Sequence, residues 1–506
     1  RNLGDWRFED ITEAAGVGGP EAGHWTTGAT MADVDGDGWL DIYVCVVSGF
    51  RKLEGHNLLY LNNGDGTFRE SAAEWGLDFR GYAQHAAFLD YDRDGDLDMY
   101  LLCHAVHSAD VYVPGENRMR RDSLAGDRLY RNDGDHFTDV SAEAGIYGGP
   151  MGYGLAVGVS DLDNDGWPDI YVSNDFHEHD YLYLNNGDGT FREVIRQAVG
   201  HTSTFTMGND LADYDNDGWT DIVTLDMKPE DEVVYKSSVG ADPYNIYQHK
   251  LNFGYHYQYP RNMLQRNMGV LTDSLVHFAE IGQWAGIATT DWSWAALMAD
   301  YDLDGWKDLY VTNGIWRRPN DLDYLKYISS EAIQESASDL ELASHMPPGI
   351  VPNQAFRNRA DGTFERVSVR WGLADVGCTN GAAWADLDAD GDLDLVVNNL
   401  GEPATLYRNR AAEQGKGHFL RVRFEGPQAN RFGLGARVWV RTAAGTQMQE
   451  CQGTRGWLSS VEPLLVFGLG EATQAEVEVR WPDGRRQRLS ANADQTLVLR
   501  HADARP

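Results

Sequence analysis

Apolar and polar positions alternate with a period of two along most of this chain, in short runs punctuated by Gly, Asn and Asp, and that pattern predicts strands joined by tight turns. Residues 151 to 194 give the pattern in its shortest form. A small-residue strand, Gly154-Leu-Ala-Val-Gly-Val159, leads into an acidic loop, and a β-branched strand, Asp169-Ile-Tyr-Val-Ser, follows it. Then Tyr181-Leu-Tyr-Leu-Asn-Asn-Gly-Asp-Gly-Thr-Phe191-Arg-Glu reads as a hairpin, because Asn-Gly-Asp-Gly supplies the positive φ angles that tight hairpin turns demand. Four strands per unit make one propeller blade.

The unit recurs along the chain, so the predicted class is all-β: a β-propeller of six blades by repeat count, with seven left open. Five units end on a Phe-led strand at Phe68, Phe137, Phe191, Phe278 and Phe364. A sixth such segment stands at the other end of the chain, where Phe8-Glu-Asp-Ile-Thr-Glu-Ala-Ala-Gly resembles Phe137-Thr-Asp-Val-Ser-Ala-Glu-Ala-Gly. The expected geometry is ring closure, this N-terminal strand completing the blade begun by residues 379 to 409 and removing exposed sheet edges. Small residues in the first strands, such as Gly28, Ala86, Ala295 and Gly381, suit the crowded innermost position.

Between first and second strands the same nine residues return six times, Asp-x-Asp-x-Asp-Gly-x-x-Asp. The carboxylates are Asp33, Asp35, Asp37 and Asp41; Asp90, Asp92, Asp94 and Asp98; Asp161, Asp163, Asp165 and Asp169; Asp213, Asp215, Asp217 and Asp221; Asp300, Asp302, Asp304 and Asp308; and Asp386, Asp388, Asp390 and Asp394. Four like charges on so short a loop repel unless a cation lies between them. Hard oxygens without Cys or His point to calcium, about six ions, in preference to magnesium, which keeps more of its waters. Position 7 adds a backbone carbonyl, from Trp39, Asp96, Trp167, Trp219, Trp306 or Asp392, and the glycine before it permits the sharp turn. The position-7 Trp rings are expected to wedge between blades.

Asp and Glu number 78 against 42 Lys and Arg, a formal charge of −36, so nucleic acid or an anionic membrane is an unsuitable partner even for the ion-loaded protein. Cys45, Cys103, Cys378 and Cys451 lack metal or redox spacing and leave room for at most one bridge. No apolar run reaches the roughly 18 residues of a membrane span, and Arg1 follows no leader pattern, as in a mature or trimmed chain. Calcium loops of this kind suit levels of roughly 0.1 to 1 mM, which places the protein outside the cytosol: secreted, cell-surface or periplasmic.

These repeats resemble the FG-GAP, or VCBS-type, repeats of integrin-α-like propellers. Residues 411 to 506 resemble an ASPIC/UnbV domain through Asn430-Arg-Phe-Gly-Leu-Gly-Ala-Arg-Val, Gly453-Thr-Arg-Gly-Trp-Leu-Ser, Phe467-Gly-Leu-Gly and Trp481-Pro-Asp-Gly. Together they place the chain beside the cartilage-acidic-protein-like family, in which the Asp loops are calcium sites; the resemblance strengthens fold and metal far more than function. The domains expected are a propeller over 1 to 410 and a small β-sandwich-like domain over 411 to 506, the latter from alternating strands near 418–424, 437–441, 464–467, 475–481 and 496–500.

Three second-to-third connections are swollen, near 103–127, 225–260 and 314–352, and long connections without repeat character tend to be functional. With the fourth-to-first connections they would gather His24, Trp25, His85, Tyr153, Tyr244, His256, Tyr257, Arg261, Trp292, Trp294, Arg317 and Arg318 on the face opposite the Asp loops. Rings with Arg and His suit a glycan, peptide or protein partner, and equally suit a mini-core that packs the insertions down. Residues 328 to 343 read as one amphipathic helix. His177-Glu178-His179-Asp180, with His104 and His107, offers imidazoles for a second metal only if the segment turns. No catalytic motif appears, neither a nucleophile elbow nor a zincin helix nor a phosphate loop. The leading reading is an extracellular binding or assembly protein; the alternative is an enzyme of secondary metabolism or polymer processing on the same axial face. Oligomeric state stays open.

Overall fold

The computed structural model describes residues 1–19, 24–106, 112–240, 242–271 and 274–506; His107 lies outside them. Six antiparallel sheets follow one another along the chain. Each begins with an inner strand (Trp25–Ala32, Ala83–Leu89, Gly154–Ser160, Asn209–Ala212, Ser293–Ala299, Thr379–Ala385) that pairs with the strand leaving the Asp loop. Consecutive inner strands pack on one another, so the small residues are needed where they stand: a Cβ on Gly158 would press on Leu211 and Asn209 of the next blade. The molecule is a β-propeller.

The first five blades have four strands and the sixth has three, Thr379–Ala385, Asp394–Asn399 and Thr405–Tyr407. The expected fourth strand from the N terminus is not there. Residues 2 to 8 instead repeat the third-to-fourth-strand turn: Gly4 N–H donates to Asn2 Oδ1 at 2.9 Å, as Gly64 does to Asn62 and Gly187 to Asn185. Asn2 also takes over a ring-wide contact. The Asn ending the third strand donates its side-chain amide to the loop carbonyl of the preceding blade, Asn185 to Tyr91 at 2.8 Å, Asn267 to Leu162 at 2.9 Å, Asn358 to Tyr214 at 2.9 Å and Asn409 to Tyr301 at 2.8 Å. Asn2 does the same to Leu387 of blade six at 2.8 Å. The N terminus closes the ring, but as the outer corner of a seventh position beside blade six.

Two further expectations change. The Trp rings at loop position 7 lie over their own blades: Trp39, Trp167 and Trp219 each cover a positive-φ glycine of the turn, Gly64, Gly187 and Gly269, and Trp167 also takes Arg93 of blade two over its ring at 4.8 Å. The segment expected as one helix over 328–343 is broken into Glu331–Ser336 and Asp339–His345, the second started by the Ser338 side chain.

The C-terminal part forms two sheets. One places His418–Glu425 between Leu465–Gly470 and Gln495–Arg500; the other orders Gly445–Glu450, Arg437–Thr442, Gln474–Arg480 and Arg486–Asn492. Its apolar residues, Leu420, Val438 and Trp481 among them, form one continuous core with Tyr43, Leu59 and Leu101 of blades one and two. It sits on the Asp-loop face, where Gly36 and Gly38 of loop one lie against Gln428 and Arg431. The hairpin of Thr454–Arg455 and Ser459–Ser460 enters the ring itself, touching the inner strands of blades one and six.

Candidate metal centres and the opposite face

Each Asp loop is a carboxylate cage held by backbone donors. The position-9 carboxylate is fixed twice: Asp41 accepts from Val34 N–H at 2.8 Å and Asn62 N–H at 2.8 Å, and Asp169 from Leu162 N–H at 2.8 Å and Asn185 N–H at 2.9 Å. The position-1 carboxylate accepts from the loop glycine, Asp33 from Gly38 at 3.0 Å and Asp300 from Gly305 at 2.8 Å. Clusters of three carboxylates whose oxygens lie within 4.8 Å of one another include Asp33, Asp35 and Asp37; Asp90, Asp92 and Asp98; Asp161, Asp163 and Asp169; Asp213, Asp215 and Asp221; and Asp300, Asp302 and Asp304. The loop of Asp386, Asp388, Asp390 and Asp394 repeats the same backbone contacts.

The oxygens left over test whether a cation fits. Among the buried side-chain atoms without a hydrogen-bond partner are Oδ1 of Asp33, Asp90 and Asp161 at position 1, and Oδ1 of Asp215, Asp302 and Asp388 at position 3. The other oxygens of the position-3 group are occupied: Asp215 Oδ2 pairs with Arg266 at 2.6 Å, Asp302 Oδ2 with Arg357 at 2.5 Å and Asp388 Oδ2 with Arg408 at 2.9 Å. One face of each carboxylate is therefore satisfied by protein while the other stays buried and unpaired, a costly state unless a cation completes it. Burial also drives the carboxyls up, Asp33 to about 6, Asp41 and Asp90 to about 7 and Asp300 to about 8, with neighbouring carboxylates adding to the rise. Position 7 is carboxylate-bearing in loops two and six, and Oδ1 of both Asp96 and Asp392 is likewise buried and unpaired.

The sequence reading missed the cap. Arg480 pairs with Asp161 at 2.5 Å and Arg421 with Asp386 at 2.9 Å, so two position-1 carboxylates receive cations from the C-terminal sheets. Arg437, fully buried, joins Glu450 at 2.8 Å, and Glu450 accepts from Ser160 Oγ at 2.8 Å. Arg455 grips Asp210 with two bonds, 2.7 and 2.8 Å, inside the ring.

On the opposite face the three insertions do meet: Tyr112 packs edge-on against Tyr255, and Val239 N–H donates to Asn320 O at 2.8 Å. The ligand candidates divide by burial. His85, Tyr153, His256, Trp292 and Arg318 are buried, with His256 Nε2 bonded to Val199 O at 2.9 Å and Arg318 paired with Asp291 at 2.6 Å. Arg261 bridges Glu280 at 2.7 Å, Trp294 donates to Gly314 O at 2.7 Å, and Arg317 to Met346 O at 3.1 Å. Trp25, Tyr244 and Tyr257 are 59, 78 and 49 % exposed, and His24 is exposed as well. Residues 177 to 180 do turn, yet both imidazoles are spent on packing: His177 among Tyr112, Tyr153 and Tyr255, His179 against Tyr181 and His256. Glu178 lies between them, fully buried and forked to Arg118. All four cysteines are free and buried.

Comparison with known proteins agrees with this architecture. The family model described as FG-GAP-like repeat matches residues 46–101, 108–172, 161–224 and 340–397, and that described as ASPIC and UnbV matches 426–506. The chain therefore combines FG-GAP-like repeats with an ASPIC/UnbV domain. It is similar to cartilage acidic protein 1 of Homo sapiens, 25% identical over 494 residues that cover 93% of this chain and 62% of that protein. Cartilage acidic protein 1 of Xenopus tropicalis is 26% identical over 364 residues, 69% of this chain and 44% of that protein. The chain thus spans less than two thirds of the length of these curated relatives. A solved Agrocybe aegerita lectin that recognises non-reducing terminal N-acetylglucosamine overlaps 79% of this chain and 84% of its own at 16% identity and a TM-score of 0.37, too loose a likeness to relate one site to the other. Among the described residues no helix is long and apolar enough to cross a membrane.

Proposed function

We propose that this chain is a calcium-stabilised extracellular binding protein, which recognises a polysaccharide, peptide or protein through the insertion-bearing face of its propeller. The observation that carries the metal is the set of buried, unpaired Oδ1 atoms at loop positions 1 and 3. The residues that would hold the ions are the four Asp of each loop with the position-7 carbonyl, and calcium would supply charge neutralisation and rigidity there. The Asp-loop face is covered by the C-terminal sheets, which leaves the opposite face as the open end of the ring. There the buried half of the candidate set anchors the insertions, and His24, Trp25, Tyr244 and Tyr257 present rings to solvent. Exposed aromatics on a rigid base are what partner recognition uses. Asp210, a buried carboxylate on an inner strand, is taken by Arg455 in an ion pair.

Glycan and peptide arrays probed with the calcium-loaded protein test the reading. The variant carrying Tyr244→Ala, Tyr257→Ala and Trp25→Ala should lose array binding while its calcium-dependent melting shift is kept. Undiminished binding by that variant would sink the assignment of the face.

A further inference from the structure

Blade six lacks a fourth strand because the chain leaves at its third: past Asn409 it turns and runs into the C-terminal sheets in place of returning. The edge Thr405–Tyr407 is therefore open, and beside it lies a cavity of about 550 Å³ lined by Trp371, Leu373, Leu395, Leu406, Arg408 and Ala411 among others.

The other five blades show what belongs in such a groove. In each, the residue in the register of Leu406 accepts from the strand that closes the blade: Leu59 from Ser71, Leu129 from Val140, Leu182 from Val194, Leu264 from Ile281 and Ala355 from Val367, at 2.7 to 2.9 Å. The Phe that leads the strand docks against the helical turn of the preceding blade; Phe137 N–H donates to Trp75 O at 2.9 Å and Phe191 N–H to Ala144 O at 2.8 Å. The glycine after that turn faces the Phe carbonyl: a Cβ built on Gly76 would stand 3.0 Å from Phe137 O, one on Gly145 3.0 Å from Phe191 O and one on Gly286 3.6 Å from Phe364 O. Their counterpart before blade six is Gly372, and among the described residues a Cβ built there would meet nothing within 4 Å. Trp371 there corresponds to Trp75. The cavity marks the place of an absent Phe and its strand.

Its charge is telling in so acidic a protein. Arg370, Arg408, Arg410 and Lys416 line it with Asp302; Arg370 pairs with Glu365 at 3.2 Å, Arg408 with Asp388 at 2.9 Å and Arg410 with Glu413 at 3.8 Å, so an incoming acid would meet Lys416 or share these arginines. Four of the five native closing strands carry an acidic residue two places after the Phe: Phe68-Arg-Glu, Phe137-Thr-Asp, Phe191-Arg-Glu and Phe278-Ala-Glu.

We propose that the open edge of blade six is an acceptor site for an extended strand of a partner polypeptide with the sequence character Phe-x-Glu or Phe-x-Asp, which completes the blade by strand addition. The main chain of Leu406 would give the ladder, the cavity would take the Phe, and the cationic rim would take the acid. This surface is separate from the insertion-bearing face, so either proposal can fail alone.

The probe is a fluorescent peptide of residues 189 to 196, the chain's own closing strand from blade three, titrated into the 506-residue chain with calcium and followed by anisotropy. Saturable binding is expected, weakened roughly tenfold or more when the peptide's Phe is replaced by Asp. Leu406→Pro keeps the carbonyl but removes the N–H that in blades one and three donates to the closing strand's Glu, at Leu59 and Leu182, and should weaken binding; Ala411→Trp, which fills the cavity from its wall, should abolish it with the ladder untouched. No binding to the native protein, or equal binding to both peptides or by a well-folded Ala411→Trp protein, would overturn the site. Concentration-dependent self-association lost in Phe8→Asp would also overturn the partner assignment, since Phe8, 44 % exposed, would then be the strand's source.

Discussion

The side-chain amide of Asn2 donates to the carbonyl of Leu387 at 2.8 Å, joining positions 385 residues apart. It is the same bond that Asn185 makes to Tyr91 and Asn409 makes to Tyr301, and it places the N-terminal corner in the ring's own register. The seam is the weak member of the set, because Asn2 is exposed while Asn185 is buried and also bonds Pro168 O at 3.3 Å. Asn2→Ala should cost about 1 kcal/mol in chemical unfolding, and Asn185→Ala roughly 2 to 4 kcal/mol. Equal losses would mean that the exposed seam bond is no weaker than its buried counterpart.

The cap gives a second expectation. Arg455→Met leaves the buried Asp210 carboxylate without its partner, and loss of one member of a buried pair costs about 3 to 5 kcal/mol. The double variant Arg455→Met with Asp210→Leu should recover much of that loss, measured by urea unfolding. No recovery would mean that Arg455 acts through Met298 O and Trp384, which it also contacts, and not through Asp210.

The pH dependence of the ion-free protein follows from the direction of the shifts. Asp33 and Asp386 are pushed up to about 6, Asp41 and Asp394 to about 7 and Asp98 to about 9, burial being the largest cause in each. The folded chain then holds protons that the unfolded chain releases near pH 4, so stability is full below about 4 and falls as pH rises through 6 to 9. With a chelator present, Tm should be higher near about pH 5.5 than near about pH 8.5, and added calcium should raise Tm most at the alkaline end. A chelated protein that gains stability toward alkaline pH would contradict the cage.

Much of the fold was legible because repetition makes pattern visible: turn glycines, alternating strands and the nine-residue Asp loop fall at matching places in six units. What escaped was non-repeating. The match of Phe8 to Phe137 suggested a fourth strand for blade six, but the residues before Phe8 carry the stronger signal, since Asn2-Leu-Gly-Asp-Trp-Arg-Phe8 parallels Asn62-Asn-Gly-Asp-Gly-Thr-Phe68 and fixes a turn of its own. Burial of His85, His256 and Trp292 is a tertiary outcome that composition does not carry: rings that look alike in sequence divide between packing and exposure according to which insertion lies over them. The docking of the C-terminal sheets on the Asp loops likewise depends on surfaces that meet only after both parts fold.

The most direct test of the account is a crystal structure grown with calcium, with anomalous difference density used to place the ions. The account predicts one ion in each Asp loop, about six per chain, bound in part by the Oδ1 that otherwise lacks a partner, at position 1 in loops one to three and at position 3 in loops four to six. Loops without density in calcium-replete crystals, around an intact ring, would contradict it.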